Sequence, residues 1–460
     1  MPQPTESSAS MKCEPIATAS DGAPIPHKVL IGFLLAVSLG GCAVGPDFSA
    51  PAPPSDQAYL PQPTAVNTDV MGPRVSTGTE VRSDWWTSLQ SPVLNQLVAQ
   101  ALANNWSLKA AQANLASAAQ GVAVAHGGLY PHVDGVASAG RDKYGATFLG
   151  PEAATFPIFS AYMGGAEVSY DLDVFGGQRR QIELAAADAL VQEEALNAAH
   201  LSVAGDTVLE ALQLASIRSQ IDVVQSVIAS DQQNLELVVK ACAVGVATRV
   251  DVTTAQSQLD RDRTLLPPLH QQLDVARDAL AILVGKSPAS WTAPDFNLDA
   301  LTLPREIPLT VPSELVRARP DIRAAEARLH AANAQIGIAT ADMYPHITLG
   351  AAVSENGLFS GPAGAAWSLL GGLAAPVFHG GALSARRRAA QDGYQIVFAQ
   401  YQQTVLTAFE QVADNLHGLG NAADEIQSEQ RALDSSSSAL RLTRLGYAAG
   451  SAGIVQVLDA

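Results

Sequence analysis

Large side chains and charges are both scarce in this chain of 460 residues. Aromatics make up 5% and charged residues 15%, against about 25% charged in an ordinary soluble domain. Cationic residues are the scarcer sign: 27 Lys and Arg face 44 Asp and Glu, for a net charge of −17. Such a chain repels phosphate backbones, which argues against a nucleic-acid partner. Cysteine is nearly absent. Cys13, Cys42 and Cys242 form no pair at metal-ligand spacing, which excludes a zinc framework. The N-terminal apolar run, Val29 to Leu39, has 11 residues, too few for a membrane helix of about 20. There is no Gly-x-Ser-x-Gly, P-loop, His-Glu-x-x-His or Gly-x-Gly-x-x-Gly, so neither an enzyme nor a cofactor is expected. What remains is plentiful alanine, which favours helix and close helix approach.

The run Val29–Leu39, with Lys28 before it, fits the apolar core of a secretory signal. Leu39-Gly40-Gly41-Cys42 follows and resembles a bacterial lipobox, in which the cysteine is acylated and becomes the new N-terminus. The competing reading is an ordinary signal with an incidental cysteine. Met11 offers a second start, because the stretch before Lys28 is long and carries Glu6, Glu14 and Asp21. Ala43 in place of an aspartate favours the outer membrane. Acyl chains contribute about 0.8 kcal/mol per buried CH₂, so multiple acylation anchors stably. The expected organisation is a signal peptide over 1–41, a Pro/Ser/Thr-rich extended tether over 42–80, and two repeats, 81–300 and 301–460.

The repeats show as ordered landmarks. Leu129-Tyr130-Pro131-His132-Val133 returns as Met343-Tyr344-Pro345-His346-Ile347. Val174-Phe175-Gly176-Gly177 returns as Val377-Phe378-His379-Gly380-Gly381, each with an arginine cluster behind it (Arg179-Arg180; Arg386-Arg387-Arg388). Each copy predicts a helix of about 30 residues ending at Tyr-Pro (94–125; 313–340). Two strands then follow, His132–Gly140 with Tyr162–Val174, and His346–Ser354 with Trp367–Phe378, separated by loops 141–161 and 355–366. Next comes a proline-free run, 67 residues from Gln178 to Val244 and 68 from Ala382 to Ala449. At 1.5 Å per residue each run reaches about 100 Å as one helix, which implies a coiled-coil or tunnel architecture. Gly245 and Gly450 mark reversals, and a helix from Thr248 to Val284 should break at Pro267-Pro268. The first copy continues from Gln256 to Gly285, whereas the second stops at Ala460, opposite Ala255, which predicts a truncated second repeat. Four membrane strands cannot close a barrel. Open edges are untenable in lipid, so three copies, giving twelve strands, are the expected assembly.

These landmarks resemble the TolC-like outer-membrane factors, specifically the NodT/OprM-type efflux lipoproteins. The resemblance runs over about residues 39–460 and includes Gly41-Cys42-Ala43-Val44-Gly45-Pro46-Asp47, Trp85-Trp86, Ala101-Leu102-Ala103-Asn104-Asn105, Ala279–Gly285 and Arg319-Pro320-Asp321-Ile322-Arg323-Ala324-Ala325-Glu326. It implies a mainly α fold with a small membrane β component: a trimeric 12-stranded barrel continued by a periplasmic α-helical barrel. Also implied are a periplasmic adaptor (membrane fusion protein), an inner-membrane pump of the RND type, and passive export of drugs or small amphiphiles. Tyr447, Gly450 and Asp459 match the family's gate, and Asp251 and Arg249 lie at the equivalent first-repeat turn. The chain departs from the pattern at Gln456, where a second pore aspartate can occur, and at Ala452, where an arginine can occur. Asp251 also reads as ordinary helix N-terminal chemistry.

Two further constellations look chemical. His132 and His346 share a repeat position, and Asp171-Leu172-Asp173 places two carboxylates on one strand face. Structural roles are expected for both, and Cys242 is expected as a small buried residue. A periplasmic coiled-coil adaptor or scaffold lipoprotein is the alternative function; it needs no lipid-facing strands.

Overall fold

Alanine-rich, proline-free sequence produces two helices of 67 residues each, α3 (Gly177–Ala243) and α8 (Ala382–Ala448), in this computed structural model. Both match the expected runs to within a residue at either end. The structure describes residues 43–52, 54, 58–60, 74–77, 82–143 and 158–459. The expected signal peptide, Cys13 and Cys42 therefore lie outside the described residues.

The expected 30-residue helices are each broken near their start. In the first repeat the pieces are α1 (Pro92–Asn104) and α2 (Trp106–Gly127). The break is Asn105, whose Oδ1 accepts from the amides of Ser107 and Leu108 and whose Nδ2 donates to the Leu283 carbonyl. A side chain capping its own backbone competes with helix continuation. In the second repeat the pieces are α6 (Pro312–Ala318) and α7 (Pro320–Ala341), parted at Arg319, which Pro320 forces into an extended conformation. The return segment breaks where Pro267-Pro268 predicts, giving α4 (Arg249–Arg263) and α5 (Leu266–Leu283). After Gly450, α9 (Ile454–Asp459) begins the corresponding return.

Four antiparallel strands form one sheet in the order β2 (His132–Asp142), β3 (Phe159–Leu172), β5 (His346–Leu358), β6 (Ala363–Ala374). The expected loop 355–366 is a correction: β5 and β6 extend into it, leaving a turn at 359–362, because the residues flanking it keep the ladder paired as far as Gly357↔Ala363. Val174 and 375–378 fall outside the strands they were expected to end. The tether expectation is also revised. Within 42–80, β1 (Arg74–Thr77) pairs in parallel with β4 (Glu306–Leu309). The Tyr59 hydroxyl donates to the Thr310 carbonyl, with its ring edge-on to Phe409. Burial there pushes the Tyr59 hydroxyl up to about 12, against the lowering effect of Arg319 and with a smaller upward push from Glu314.

The core is helical. Leu94 and Val98 of α1 and Leu108 of α2 pack with Val208 and Leu214 of α3 and Leu280 of α5. A second cluster joins Ile322 of α7 to Tyr401 and Val405 of α8. Among the described residues no helix is long and apolar enough to cross a membrane.

Candidate functional site: a strand sheet above paired helical tips

Strand register decides what the sheet presents. Side chains alternate faces along each strand, so cross-strand partners share a face. One face carries the rows Val133–Val168–Ala351–Leu369 and Gly135–Ala166–Val353–Trp367, continued by Tyr170, Leu349 and Leu373. Apart from Arg141 and Glu355 towards the end away from the helices, it is apolar and open: Trp367 is 81% exposed and Leu369 76%. The other face carries Asp134–Glu167–Ala352–Ser368, with His132, Ser169, Asp171 and Thr348 nearby. An apolar face and a polar face on one sheet, neither covered by a helix layer among the described residues, is the pattern of a membrane barrel with a wet lumen. A buried two-layer core would instead cover its apolar face.

At the foot of the sheet, strand β3 hands over to α3 through Gly176, whose φ of 77° no branched residue adopts without strain. Asp173 caps the new helix: its carboxylate accepts from the amides of Gln178 and Arg179 and from Arg179 Nε. The negative charge there also suits the helix N-terminus. Asp171 accepts from Thr348 Oγ1. Both carboxylates are therefore engaged separately. His132, Asp171, Asp173, Asp342 and His346 line one cleft of about 480 Å³. Among the described residues, however, no three His, Cys, Asp or Glu side chains form a metal-holding group.

The two quoted motifs around Asn105 and Gly285 meet in space. A Cβ on Gly285 would collide with the Asn104 carbonyl oxygen, so the close approach of α1 and α5 depends on that glycine. The Arg319-to-Glu326 motif is explained likewise. Arg319 forks onto Asp321 at 3.0 and 2.8 Å and reaches Gln411 of α8. Arg323 pairs across the repeats with buried Glu194 of α3 at 2.7 Å.

At the opposite end, both reversals turn on left-handed glycines, Gly245 at φ 81° and Gly450 at φ 74°. Val238 and Ala255 of the first hairpin pack with Ile454 and Val457 of α9, and Tyr447 lies against this cluster. The two tips are thus brought together. Asp251 closes a capping box: its Oδ2 accepts from the Thr248 amide and hydroxyl, both at 2.8 Å. Those bonds, backbone first, hold its carboxyl below the usual range. Gln456, where an aspartate can stand in the family, accepts from the Gly453 amide and so caps α9. Arg249 is exposed, and Asp459 is the last residue of α9. Cys242 is half-buried rather than buried, since its position beside the tip turn leaves one side uncovered.

Sequence reasoning missed a contact at the sheet's foot. Arg180 of α3 is buried, its side chain 5% exposed, and its guanidinium donates to the carbonyls of Val44 and Gly45 and to Asp47 and Glu183. Only the recurrence of arginines after each Gly-Gly pointed there, without a partner.

A sheet with one lipid-compatible face, continued by two helices of 67 residues that both pack on α7, defines a protomer of an α/β channel. The chain belongs to the outer membrane efflux protein family, matching it over residues 97–286 and 311–460. It is 30% identical over 437 residues to the toluene efflux pump outer membrane protein TtgF of Pseudomonas putida, covering 94% of this chain and 90% of that protein. It is 27% identical over 440 residues to the cation efflux system protein CusC of Escherichia coli K12, covering 94% and 92%. The solved outer-membrane channel OprN superposes with a TM-score of 0.80 at 28% identity, covering 91% of this chain and 92% of that one. The chain is accordingly an outer-membrane efflux channel protein, in a family of channel proteins, with the mixed helical and strand fold of the TolC-like factors.

Proposed function

We propose that three copies close a twelve-stranded barrel in the outer membrane, continued by an α-helical conduit into the periplasm, as the passive exit of a tripartite efflux pump. The observation that carries this is the strand register, which sorts mostly apolar and mostly polar residues onto opposite faces of a sheet whose outer strands, β2 and β6, have no further strand beside them among the described residues. Such edges are costly in lipid and are satisfied by a neighbouring protomer. Leu433, Leu442 and Leu445 on the lower half of α8 are each more than 60% exposed and supply apolar surface for the same assembly. The register speaks against a coiled-coil adaptor, which has no use for a lipid-facing sheet. Acylation at Cys42, a periplasmic adaptor and an RND-type inner-membrane pump complete the reading. TtgF and CusC are named for toluene and for cations; a smooth tunnel wall accommodates either, so the cargo is set elsewhere in the pump. In cells, the protein is expected in the outer-membrane fraction as a trimer that dissociates on heating. A soluble monomer with an unmodified N-terminus overturns the proposal.

The meeting of the two tips supports a constriction there. In this reading Asp459 forms an acidic ring, Tyr447 holds α8 against the tip cluster, and Asp251 and Arg249 border the first-repeat turn. A ring of carboxylates in a narrow pore favours cations. Asp459→Asn is expected to reduce cation-over-anion permeability in planar bilayers, with Asp251→Asn doing less because its carboxylate is engaged by Thr248. Unchanged selectivity in the Asp459 variant removes that residue from the gate.

A further inference from the structure

Arg180 is a buried cation whose hydrogen-bond acceptors, apart from Glu183, all lie on the segment Ala43–Phe48. That segment makes further contacts with both repeats. The Val44 amide donates to the Phe175 carbonyl at 3.0 Å, at the end of the strand-to-helix link. Asn333 of α7 donates to the Pro46 carbonyl at 2.9 Å. Phe48 stacks on His330 of α7 at 4.4 Å between ring centres, and His330 in turn pairs with Glu183 of α3 at 2.7 Å. Gly45, at φ 96°, passes so near Gly337 that an added Cβ would lie 2.6 Å from the Gly337 Cα. Ala43 is equally tight against Gly176, where an added Cβ would meet the Ala43 Cα at 2.5 Å.

These contacts have one physical consequence. A guanidinium out of water must keep its acceptors, so releasing the segment strands the Arg180 charge over most of its bonding. A simple tether has no such requirement and is normally solvated. The socket straddles the crossing of α3 and α7, one helix from each repeat, at the foot of the sheet.

We propose that Ala43–Phe48 is an intramolecular ligand of the α3–α7 socket, and that its docking holds the lipid anchor at the base of the strands and locks the repeats together for barrel assembly. The coupling to lipid rests on the proposed acylation of Cys42, which precedes Ala43 by one peptide bond, about 3.8 Å between Cα atoms. Arg180 acts in this as a positioning residue.

The test compares the full chain with Asp47→Ala/Phe48→Ala, which alters only the docked segment, and with Arg180→Met, which alters the socket. Mass spectrometry reads acylation of the N-terminal peptide and hydrogen exchange at the Val44 amide; heat-resistant trimer is quantified in the same membranes. In the wild type Val44 is expected to be protected. In both variants it is expected to exchange ~10-fold faster or more, with Cys42 still acylated and the trimer fraction reduced several-fold. Free exchange of Val44 in the wild-type trimer overturns the docking. Released docking with wild-type trimer yield overturns the coupling. An unmodified Cys42 in the wild type overturns the lipid reading, while Val44 still decides whether the segment is bound. Because the Asp47/Phe48 variant leaves α3 and α7 unchanged, misfolding of the Arg180 variant leaves the outcome decidable.

Discussion

Leu369→Arg is expected to abolish stable trimer in the outer membrane, whereas Ser368→Arg, one residue away, is expected to assemble. The two side chains leave β6 on opposite faces. Leu369 stands in the row Val133–Val168–Ala351–Leu369 and Ser368 in the row Asp134–Glu167–Ala352–Ser368. In a closed barrel the first row faces acyl chains and the second the aqueous lumen. Leu369 lies near the middle of β6 (Ala363–Ala374), where an arginine facing lipid costs about 2–4 kcal/mol. Threefold repetition multiplies that to roughly 6–12 kcal/mol per assembly, comparable with the whole stability of an ordinary domain. The measurement is the heat-sensitive trimer band from outer-membrane fractions at matched expression. Equal assembly of both variants would mean that the apolar face does not meet lipid.

Asp231→Asn is expected to stabilise the protein at pH 7.5 and to leave it nearly unchanged near pH 4. In the antiparallel pairing of α3 with α4, Val238 packs against Ala255. Seven residues further along each helix, Asp231 comes opposite Asp262. Asp231 is buried, and its Oδ2 has no donor. Burial first, then the hydrogen bond and like charge of Asp262, push its carboxyl up from 3.8 to about 6, against a smaller opposing effect of Asn234. Gln258 of α4 donates to Asp262, and Arg444 of α8 reaches the neighbouring Ser230 rather than forming an ion pair with Asp231. The sign follows from proton counts. Between pH 3.8 and about 6 the folded chain holds a proton that the unfolded chain has lost, so stability falls as pH rises through that window. Above it the full penalty is present. With Asp262 partly open to solvent, screening limits the total to about 1–2 kcal/mol. The asparagine amide donates to Asp262 without a proton from solvent, so the variant should lose the pH dependence. Thermal unfolding at pH 4, 5.5 and 7.5 reads this directly; parallel pH profiles for the two chains would show that the pair shares no proton.

Much of the fold was legible because its signals are local. Two proline-free stretches set the lengths of α3 and α8 to within a residue at either end. Gly245 and Gly450 marked the reversals, since left-handed turns favour glycine wherever they occur. Repeated Tyr-Pro-His located the first residues of β2 and β5. Breaks at Asn105 and Arg319 were missed because alanine-rich periodicity runs straight through them. In one case a side chain turns back on the backbone; in the other a proline restrains its predecessor. Gate chemistry at the tips was only partly legible: Asp251 and Gln456 both turn out to cap helices; Thr248-x-x-Asp251 has the spacing of a capping box, but spacing does not say whether a carboxylate also faces a pore.

By itself, then, the sequence determined the duplication, the great helix lengths and the presence of short strands, all consequences of composition and spacing along one chain. Only the tertiary structure decided which residues share a face of the sheet, because a shift of one residue in register exchanges the lipid and lumen sides. It alone showed that the segment after Cys42 is bound at Arg180 rather than free, and that Asp231 meets Asp262. Those contacts join residues more than 130 apart in the first case and 31 apart in the second. Their energetics arise from desolvation, which depends on what the folded chain places around a charge.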